Sequence, residues 1–189
     1  MTDSTDIDYG PLVHLIGTWE GGKGMDVAPE PDGIEENPYY ETIIFEAAGD
    51  VTNAESQVLA VVRYHQIVSR KSNSQIFHDE NGYWLWDAQQ ELIMQSFVIP
   101  RAVCVIAGSK YEGNSNIDII KLAVSAKDGD PDWGILQSPF MRDNAKTVEF
   151  HHEVEIKEDV LSYSETTVVN IYDQIFDHTD SNELVRRGG

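Results

Sequence analysis

A repeated rhythm of short β-type runs constrains the fold of this chain more than any other feature. The runs are rich in Val, Ile, Tyr, Phe and Thr, and clusters of Gly, Asn, Asp and Pro divide them. This rhythm is typical of β-sandwiches and β-barrels, because each run suits a strand and each cluster suits a turn. We count about ten runs, which favours an all-β fold with a closed antiparallel barrel. The predicted strands are Gly17–Gly22, Tyr39–Ala48, Gln57–Ser69, Gln75–Trp86, Glu91–Ile99, Arg101–Ser109, Ile117–Ser125, Val148–Lys157, Val160–Asn170 and Gln174–Val185.

Alternation within the later strands predicts which side chains face the barrel lumen. In the run that begins at Val148, one face carries His152 with apolar side chains, and the other carries His151 among glutamates. Because successive strand residues point to opposite faces, His152 is predicted to lie inside and His151 in solvent. The next run places on one face Leu161, Tyr163, Glu165, Thr167 and Val169. The lumen is therefore expected to be partly polar.

The remaining segments are predicted to be a short plug, loops and turns. A helical piece over Tyr9–Ile16, with a proline near its start, is expected to close one end of the barrel. Met25–Pro38 and Lys127–Asn144 are predicted loops, and Ala48–Asp50 is a predicted hairpin turn. The second loop is expected to place over the barrel mouth one of three apolar residues: Trp133, Phe140 or Met141.

The charge of the chain excludes some classes of partner. Acidic residues outnumber basic ones by 33 to 13, which gives a formal net charge of −20. Such a surface repels phosphate backbones and anionic lipids, so we expect no binding to nucleic acid or membranes. No apolar run approaches the roughly 20 residues that a membrane span needs. An anionic ligand would need local basic groups, for which the candidates are Arg63, Arg70, Lys71, Arg101, Arg186 and Arg187.

The length suits a single domain over residues 1–189. The first residues are acidic and polar, and they resemble neither a secretory signal nor a transit peptide. We therefore expect a cytoplasmic protein in which residues 1–8 form a flexible tail. A homodimer is the default assembly.

No motif in the sequence assigns a catalytic residue. Gly21–Gly24 is rich in glycine but lacks the spacing of a P-loop, and no nucleophile elbow is present. Cys104 is the only cysteine, so an intrachain disulfide is excluded. Because Cys104 lies in an apolar run, it is predicted to be a small buried hydrophobe.

Three segments carry a family resemblance, in the same order and at similar spacing. The first is Leu15–Gly24, with the pattern Gly-x-Trp-x-Gly, and the second is Ile76–Trp84, with the pattern His-x-Glu-x-Gly-Tyr. The third is the final hairpin, with Leu161–Tyr163, His178 and Leu184. Together they resemble the nitrobindin family, haem-binding barrels with a fold similar to fatty-acid-binding proteins and lipocalins. The resemblance covers nearly the whole chain.

The resemblance implies that the barrel binds ferric haem b. By position, His178 would be the iron ligand, and Asp180 would accept a hydrogen bond from its second ring nitrogen. His78 and Phe77 would lie on the other side of the haem. The resemblance also implies handling of nitric oxide and an enzyme activity, the isomerisation of peroxynitrite to nitrate, with the iron supplying most of the chemistry.

Two departures from the family pattern bear on this site. The glycine motif is stretched by one residue at Lys23. Thr179 and Asp180 follow His178, where the family has leucine next and a shorter step to the final apolar and basic residues. Either a β-bulge absorbs the extra residue, or the changed register turns the ring of His178 away from the lumen.

Two other functions fit a barrel of this kind. The first is a carrier or sensor of a small apolar organic ligand without haem, whose polar end is held by Arg101, Arg63 or Tyr163. The second is an interaction protein whose barrel is filled by its own side chains, including Trp19, Trp84, Trp86 and Trp133.

Overall fold

The computed structural model of the chain describes residues 7–113 and 118–188. A 3-10 helix over Gly10–His14 precedes eleven strands. The strands are β1 (Gly17–Glu30), β2 (Gly33–Asn53), β3 (Gln57–Arg70), β4 (Ile76–Asp87), β5 (Leu92–Ile99), β6 (Val103–Lys110), β7 (Ile120–Lys127), β8 (Ile135–Gln137), β9 (Ala145–Lys157), β10 (Val160–Ile171) and β11 (Gln174–Arg187). One short helix, α1 (Pro139–Asn144), lies between β8 and β9. Neither of the described helices is long and apolar enough to cross a membrane.

Ten strands close into an antiparallel barrel, as the sequence predicted. Sequential neighbours pair from β1 to β7, β9 follows β7, and β11 pairs back with β1. Closure gives each of the ten strands a paired neighbour on both sides. The ring contains the predicted strands, so the all-β barrel is confirmed.

The eleventh strand, β8, pairs with β6 and extends the barrel wall there. β6 and β7 pair only at Gly108 and Ser125, and β8 pairs with β6 further along, at residues 103–105. The side chain of Gln137 then bridges to β9: its Nε2 donates to the carbonyl of Thr147 and its Oε1 accepts from the amide of Thr147, both at 2.9 Å. A side-chain amide thus replaces the missing ladder between β8 and β9.

Two predicted irregular segments are part of strands. Met25–Pro38 was predicted to be a loop, but β1 and β2 continue through it as a long hairpin that turns at residues 31 and 32. Ala48–Asp50 was predicted to be a hairpin turn, but β2 runs past it with a register shift between Ala47 and Asp50. Gly49 has a φ of 91°, which a bulge accepts as readily as a turn. The glycine signal therefore marked a bulge.

The boundaries of other predicted segments also changed. The predicted loop Lys127–Asn144 contains β8 and α1. The predicted seventh strand starts at Ile117, which lies outside the described residues, as do residues 1–6 of the expected tail; β7 begins at Ile120. The predicted helical plug is confirmed as the 3-10 helix.

Cys104 and the lid residues depart from their predicted positions. Cys104 is exposed, because Val103 and Val105 take the inward positions of β6. Of the three residues expected over the mouth, Met141 lines the cavity, whereas Phe140 is 70% exposed. The ring of Trp133 packs over Gly108 and occupies the space that a Cβ would need.

Large apolar side chains fill the end of the barrel that the 3-10 helix covers. Leu12, Leu15 and Trp19 are fully buried there, and Trp84 and Trp86 belong to the same cluster. Nε1 of Trp19 donates to the carbonyl of Leu15 at 2.7 Å, which joins the plug to β1. The barrel is closed at this end, so any ligand must enter from the other.

A bulge in β1 sets the packing above this core. The register of β1 shifts between Gly21 and Gly24 against β2, and between Gly21 and Met25 against β11. Gly24 then faces the buried ring of Tyr39, and a Cβ at Gly24 would lie 2.0 Å from the nearest ring atom. The stretched glycine motif is therefore a bulge whose last glycine gives Tyr39 its space.

We expect Gly24→Ala to lower the free energy of unfolding by about 2 kcal/mol, because the new methyl group must displace the ring of Tyr39. Urea unfolding monitored by fluorescence measures the change. Gly134→Ala is the matched control, since a Cβ there meets only the carbonyl of Asp130 at 3.4 Å. Equal stability of the two variants would contradict the proposed packing role of Gly24.

Candidate functional site

The open end of the barrel contains a cavity of about 380 Å³. This volume lies in the range of small-ligand pockets, roughly 300–1,000 Å³. Its apolar wall includes Phe77, Phe97, Ile99, Val103, Val105 and Phe150. None of the four tryptophans is among its lining residues, so they do not fill this end of the barrel.

His178 lies on β11 and lines this cavity. Its Nε2 donates to Oδ1 of Asp26 at 2.6 Å and lies 3.6 Å from Oδ2 of Asp180. The sequence left open whether the ring faces the lumen, and the structure places it there, with no register shift between β10 and β11. The bulge that absorbs an extra residue lies in β1 instead. The closest partner of His178 is therefore Asp26 and not Asp180.

The β1 bulge explains why Asp26 faces the lumen. Trp19 points into the barrel, and strict alternation from it would direct odd-numbered residues inward. The extra residue reverses this alternation, so Gly24 and Asp26 are buried while Met25 is exposed. Asp26 is only 4% exposed, and its other oxygen accepts from Nδ2 of Asn37 at 2.9 Å.

His178 and Asp180 influence each other's protonation. Burial alone lowers the pKa of His178, but the hydrogen bond to Asp26 and the charge of Asp180 outweigh it and raise that pKa. Burial raises the pKa of Asp180 to about 6, although the nearby His178 opposes the change. His178 is thus a basic imidazole with a carboxylate on one nitrogen, and no described residue hydrogen-bonds its Nδ1.

His78 and Phe77 line the same cavity from β4. Nε2 of His78 lies 3.5 Å from Oε2 of Glu80. Burial lowers the pKa of His78, and the hydrogen bond and charge of Glu80 reverse this and raise it. Phe77 packs edge-on against Tyr39, with ring centroids 6.2 Å apart. Both residues predicted from the second motif therefore reach the cavity.

A chain of hydrogen bonds leads from Glu80 deeper into the barrel. The hydroxyl of Tyr64 donates to Glu80 and accepts from Nε2 of Gln95 at 2.8 Å. Oε1 of Gln95 accepts from Nδ1 of His152 at 2.9 Å. Burial lowers the pKa of His152 to about 4, so its ring is neutral and this end of the chain carries no charge. His152 faces the interior and His151 faces solvent, as alternation predicted.

A second polar cluster separates the cavity from the packed end. The carboxyl group of Glu41, which is 3% exposed, accepts from the hydroxyl of Tyr163 at 3.0 Å, from Nδ2 of Asn182 at 2.6 Å and from Nε2 of Gln66 at 2.6 Å. The hydroxyls of Tyr39 and Tyr163 are 2.8 Å apart. Burial raises the pKa of Glu41 to about 7, even though the three donors favour its ionised form.

Glu165 lines the cavity and lacks a hydrogen-bond donor among the described residues; Nδ1 of His152 is 3.9 Å away. Burial, followed by the charges of Glu80 and Asp180, raises the pKa of Glu165 well above its usual range. Its uncharged form is therefore favoured, and a protonated carboxyl group can donate a hydrogen bond into the cavity.

The three residues expected to hold the polar end of an organic ligand occupy different places. Arg101 lines the cavity. Arg63 lies outside the barrel, where Nη2 contacts Oε2 of Glu46 at 2.8 Å. Tyr163 lines the cavity floor, but its hydroxyl is taken by Glu41 and Tyr39.

Sequence reasoning missed Asp26 and Glu41. Asp26 falls in the segment predicted to be a loop, and its inward direction depends on a bulge that the sequence does not locate. Glu41 carried a usable signal, because it alternates with Tyr39, Ile43 and Phe45, which are all buried. A glutamate in such a register predicts an inward carboxyl group.

Comparisons with known proteins agree with this architecture. A family model described as "THAP4-like, heme-binding beta-barrel domain" matches residues 8–186 of the chain. The crystal structure of Rv2717c from M. tuberculosis has a TM-score of 0.70 and 21% sequence identity, covering 94% of this chain and 95% of that one. This likeness shows a shared fold. No curated protein matches the chain.

We expect Glu41→Gln to abolish a pH-dependent part of the stability. The pKa of Glu41 rises from 4.5 to about 7 on folding, so its contribution is fully present below the lower value and is lost as the pH rises through the higher one. That loss is on the order of 3 kcal/mol. The groups that face Glu41 are Tyr39, Gln66, Tyr163, Asp180 and Asn182.

Urea unfolding at about pH 5 and about pH 8 measures the effect. The free energy of unfolding of Glu41→Gln, relative to the native chain, should increase between the two pH values. Glu46→Gln is the control, because Glu46 lies on the same strand but is exposed beside Arg63. A parallel pH dependence in the native chain and in Glu41→Gln would contradict the raised pKa.

Proposed function

The chain belongs to the THAP4-like, haem-binding β-barrel family, and from this premise we propose that its cavity binds ferric haem b through His178. The observation that carries the proposal is the pairing of His178 with a buried carboxylate at the wall of the cavity. No other described histidine combines a place in this cavity with so close a carboxylate, since His78 lies 3.5 Å from Glu80.

The residues present fit a haem. A metal-bound histidine typically donates its second ring N–H to a carboxylate, which fixes the ring and raises its basicity as a ligand. Asp26 accepts this bond from Nε2 of His178, which would leave Nδ1 as the nitrogen that binds iron. The apolar wall around Phe97 and Val105 suits the flat face of a macrocycle.

His78 and Phe77 form a second side of the cavity, which combines a hydrogen-bond donor with an apolar ring. The contact with Glu80 holds an N–H of His78 in place and favours its protonated form, so the ring acts as a hydrogen-bond donor. Phe77 adds an apolar surface beside it. When bound, ferric haem supplies the site for nitric oxide and for the isomerisation of peroxynitrite to nitrate that the nitrobindin resemblance implies. The role of His78 would be to donate to a small anionic ligand.

A carrier of a small apolar organic ligand without haem is the second candidate. The position of Glu165 supports this second candidate. Its buried carboxyl group, which has no donor among the described residues, suits a ligand that donates a hydrogen bond to it or accepts one from its protonated form. The apolar wall would hold the body of such a ligand in the same way as a macrocycle. Titration with haem distinguishes the two candidates.

We expect the purified apo-protein to bind ferric haem saturably with the Soret spectrum of a histidine-ligated iron. His178→Ala should lose this spectrum, because it removes the proposed iron ligand. Asp26→Asn keeps the ring but removes the carboxylate, and should weaken haem binding by about 10- to 100-fold. His151→Ala is the control, since His151 is an exposed histidine on the outside of β9. An unchanged spectrum in His178→Ala would contradict His178 as the ligand, and no binding by the native chain would favour the organic carrier.

A further inference from the structure

The arginines of this acidic chain divide into two groups. Four of the six pair with a carboxylate: Arg63 with Glu46, Arg142 with Asp143, Arg186 with Asp159, and Arg187 with Glu20. The other two, Arg70 and Arg101, have no carboxylate within salt-bridge distance among the described residues. Both of them line the cavity. In a chain with 33 acidic residues, the two arginines left without an acidic partner are those at the ligand site.

Arg70 is held in position by neutral groups. Its Nε donates to Oδ1 of Asn37 at 3.1 Å, and its guanidinium lies 4.5 Å from the ring centroid of Phe77. These contacts fix the plane of the guanidinium, but they do not neutralise its charge. No described residue accepts a hydrogen bond from its two Nη groups, so a fork of donors is available to a bidentate acceptor.

Arg101 lies in the turn between β5 and β6, at the same open end of the barrel. It is exposed, and its neighbours Ile99 and Val103 belong to the apolar wall. The hydrogen bonds of the described residues include none to its guanidinium. The site thus combines an apolar wall with two cations toward the opening.

We propose that Arg70 and Arg101 form an anion-binding rim that holds the carboxylates of an amphiphilic ligand whose apolar body lies in the cavity. This inference rests on the proposed function and deepens it, because haem b carries two propionate groups on one edge of an apolar macrocycle. Arginine suits this task, since its planar fork matches the geometry of a carboxylate. The ligand class is a carboxylate-bearing amphiphile.

Because acidic residues surround the two arginines, anion binding at this site depends on these arginines. Asp26, Glu30 and Glu35 also line the cavity, and they repel an anion. The carboxylate of Glu35 accepts a hydrogen bond from Nδ2 of Asn37 at 3.0 Å. The oxygen of the same side-chain amide accepts the hydrogen bond from Arg70. Without the two arginines, the described lining of the cavity would offer neither an arginine nor a lysine to a carboxylate.

The test uses three probes with the full-length apo-protein: ferric haem, metal-free protoporphyrin IX and dodecanoate. Protoporphyrin IX keeps both propionates but cannot be ligated by His178, and dodecanoate carries one carboxylate without a macrocycle. The variants are Arg70→Gln, Arg101→Gln and the double variant, with Arg63→Gln as the control for an equal change of net charge outside the barrel. Dissociation constants are measured by fluorescence quenching or calorimetry, and the dimethyl ester of protoporphyrin IX provides a neutral comparison.

We expect each single variant to weaken protoporphyrin IX and haem by about tenfold, with no loss for the ester. The native chain should prefer the diacid over the ester, and the double variant should lose this preference. If haem binds to native chain and double variant with equal affinity and a histidine-ligated spectrum, the proposed function stands and the rim is overturned. If haem and porphyrin fail but dodecanoate binds and weakens in the double variant, the rim stands and haem binding is overturned. If no probe binds the native chain, both are overturned.

Discussion

The hydrogen-bonded cluster of Glu41, Tyr163 and Tyr39 divides the barrel into a packed half and a hollow half. On one side, alternating inward positions carry leucine, tryptophan and phenylalanine, which interdigitate without space for a ligand. On the other side, the same strands surround a cavity whose lining combines an apolar wall with several polar side chains. A buried carboxyl group is costly unless donors satisfy it, so Glu41 requires three strands to bring donors to one point. The floor of the ligand site is therefore fixed by hydrogen-bond geometry and not by apolar packing.

The charge of the chain is distributed differently inside and outside the barrel. Outside, cations such as Arg63 and Lys127 pair with glutamates on neighbouring strands. Inside, carboxyl groups lie close to histidines and to each other, and burial together with nearby negative charge raises the pKa of Glu165 and that of Asp180. The lumen is thus less negative than its composition indicates. This reduction allows an anionic ligand to approach two arginines in a chain whose net charge is −20.

The sequence predicted the fold well because its signal is local. Runs of β-type residues between turn clusters identified the ten strands of the ring, and period-two alternation gave the inward direction of His152. The glycine and histidine motifs indicated the family. The errors at Met25–Pro38 and Ala48–Asp50 have one cause: glycine, asparagine and proline serve turns, bulges and long hairpins alike. The partners of the site residues were harder to predict, because Asp26 and His178 are 152 residues apart and meet only when β1 pairs with β11.

The extra residue at Lys23 connects the wrong loop prediction at Met25–Pro38 with the geometry of the site. A bulge reverses the alternation of inward and outward side chains in the residues that follow it. One extra residue in β1 therefore directs the side chain of Asp26 into the lumen and that of Met25 to solvent. Without that residue, Asp26 would face solvent, and Asp180 would be left as the acidic partner of His178, which is the arrangement that the sequence alone implied. The bulge also provides Gly24, whose missing side chain admits the ring of Tyr39 to the floor cluster. One extra residue in β1 thus determines the acidic partner of the proposed iron ligand and gives Tyr39 its place in the cluster beneath the cavity.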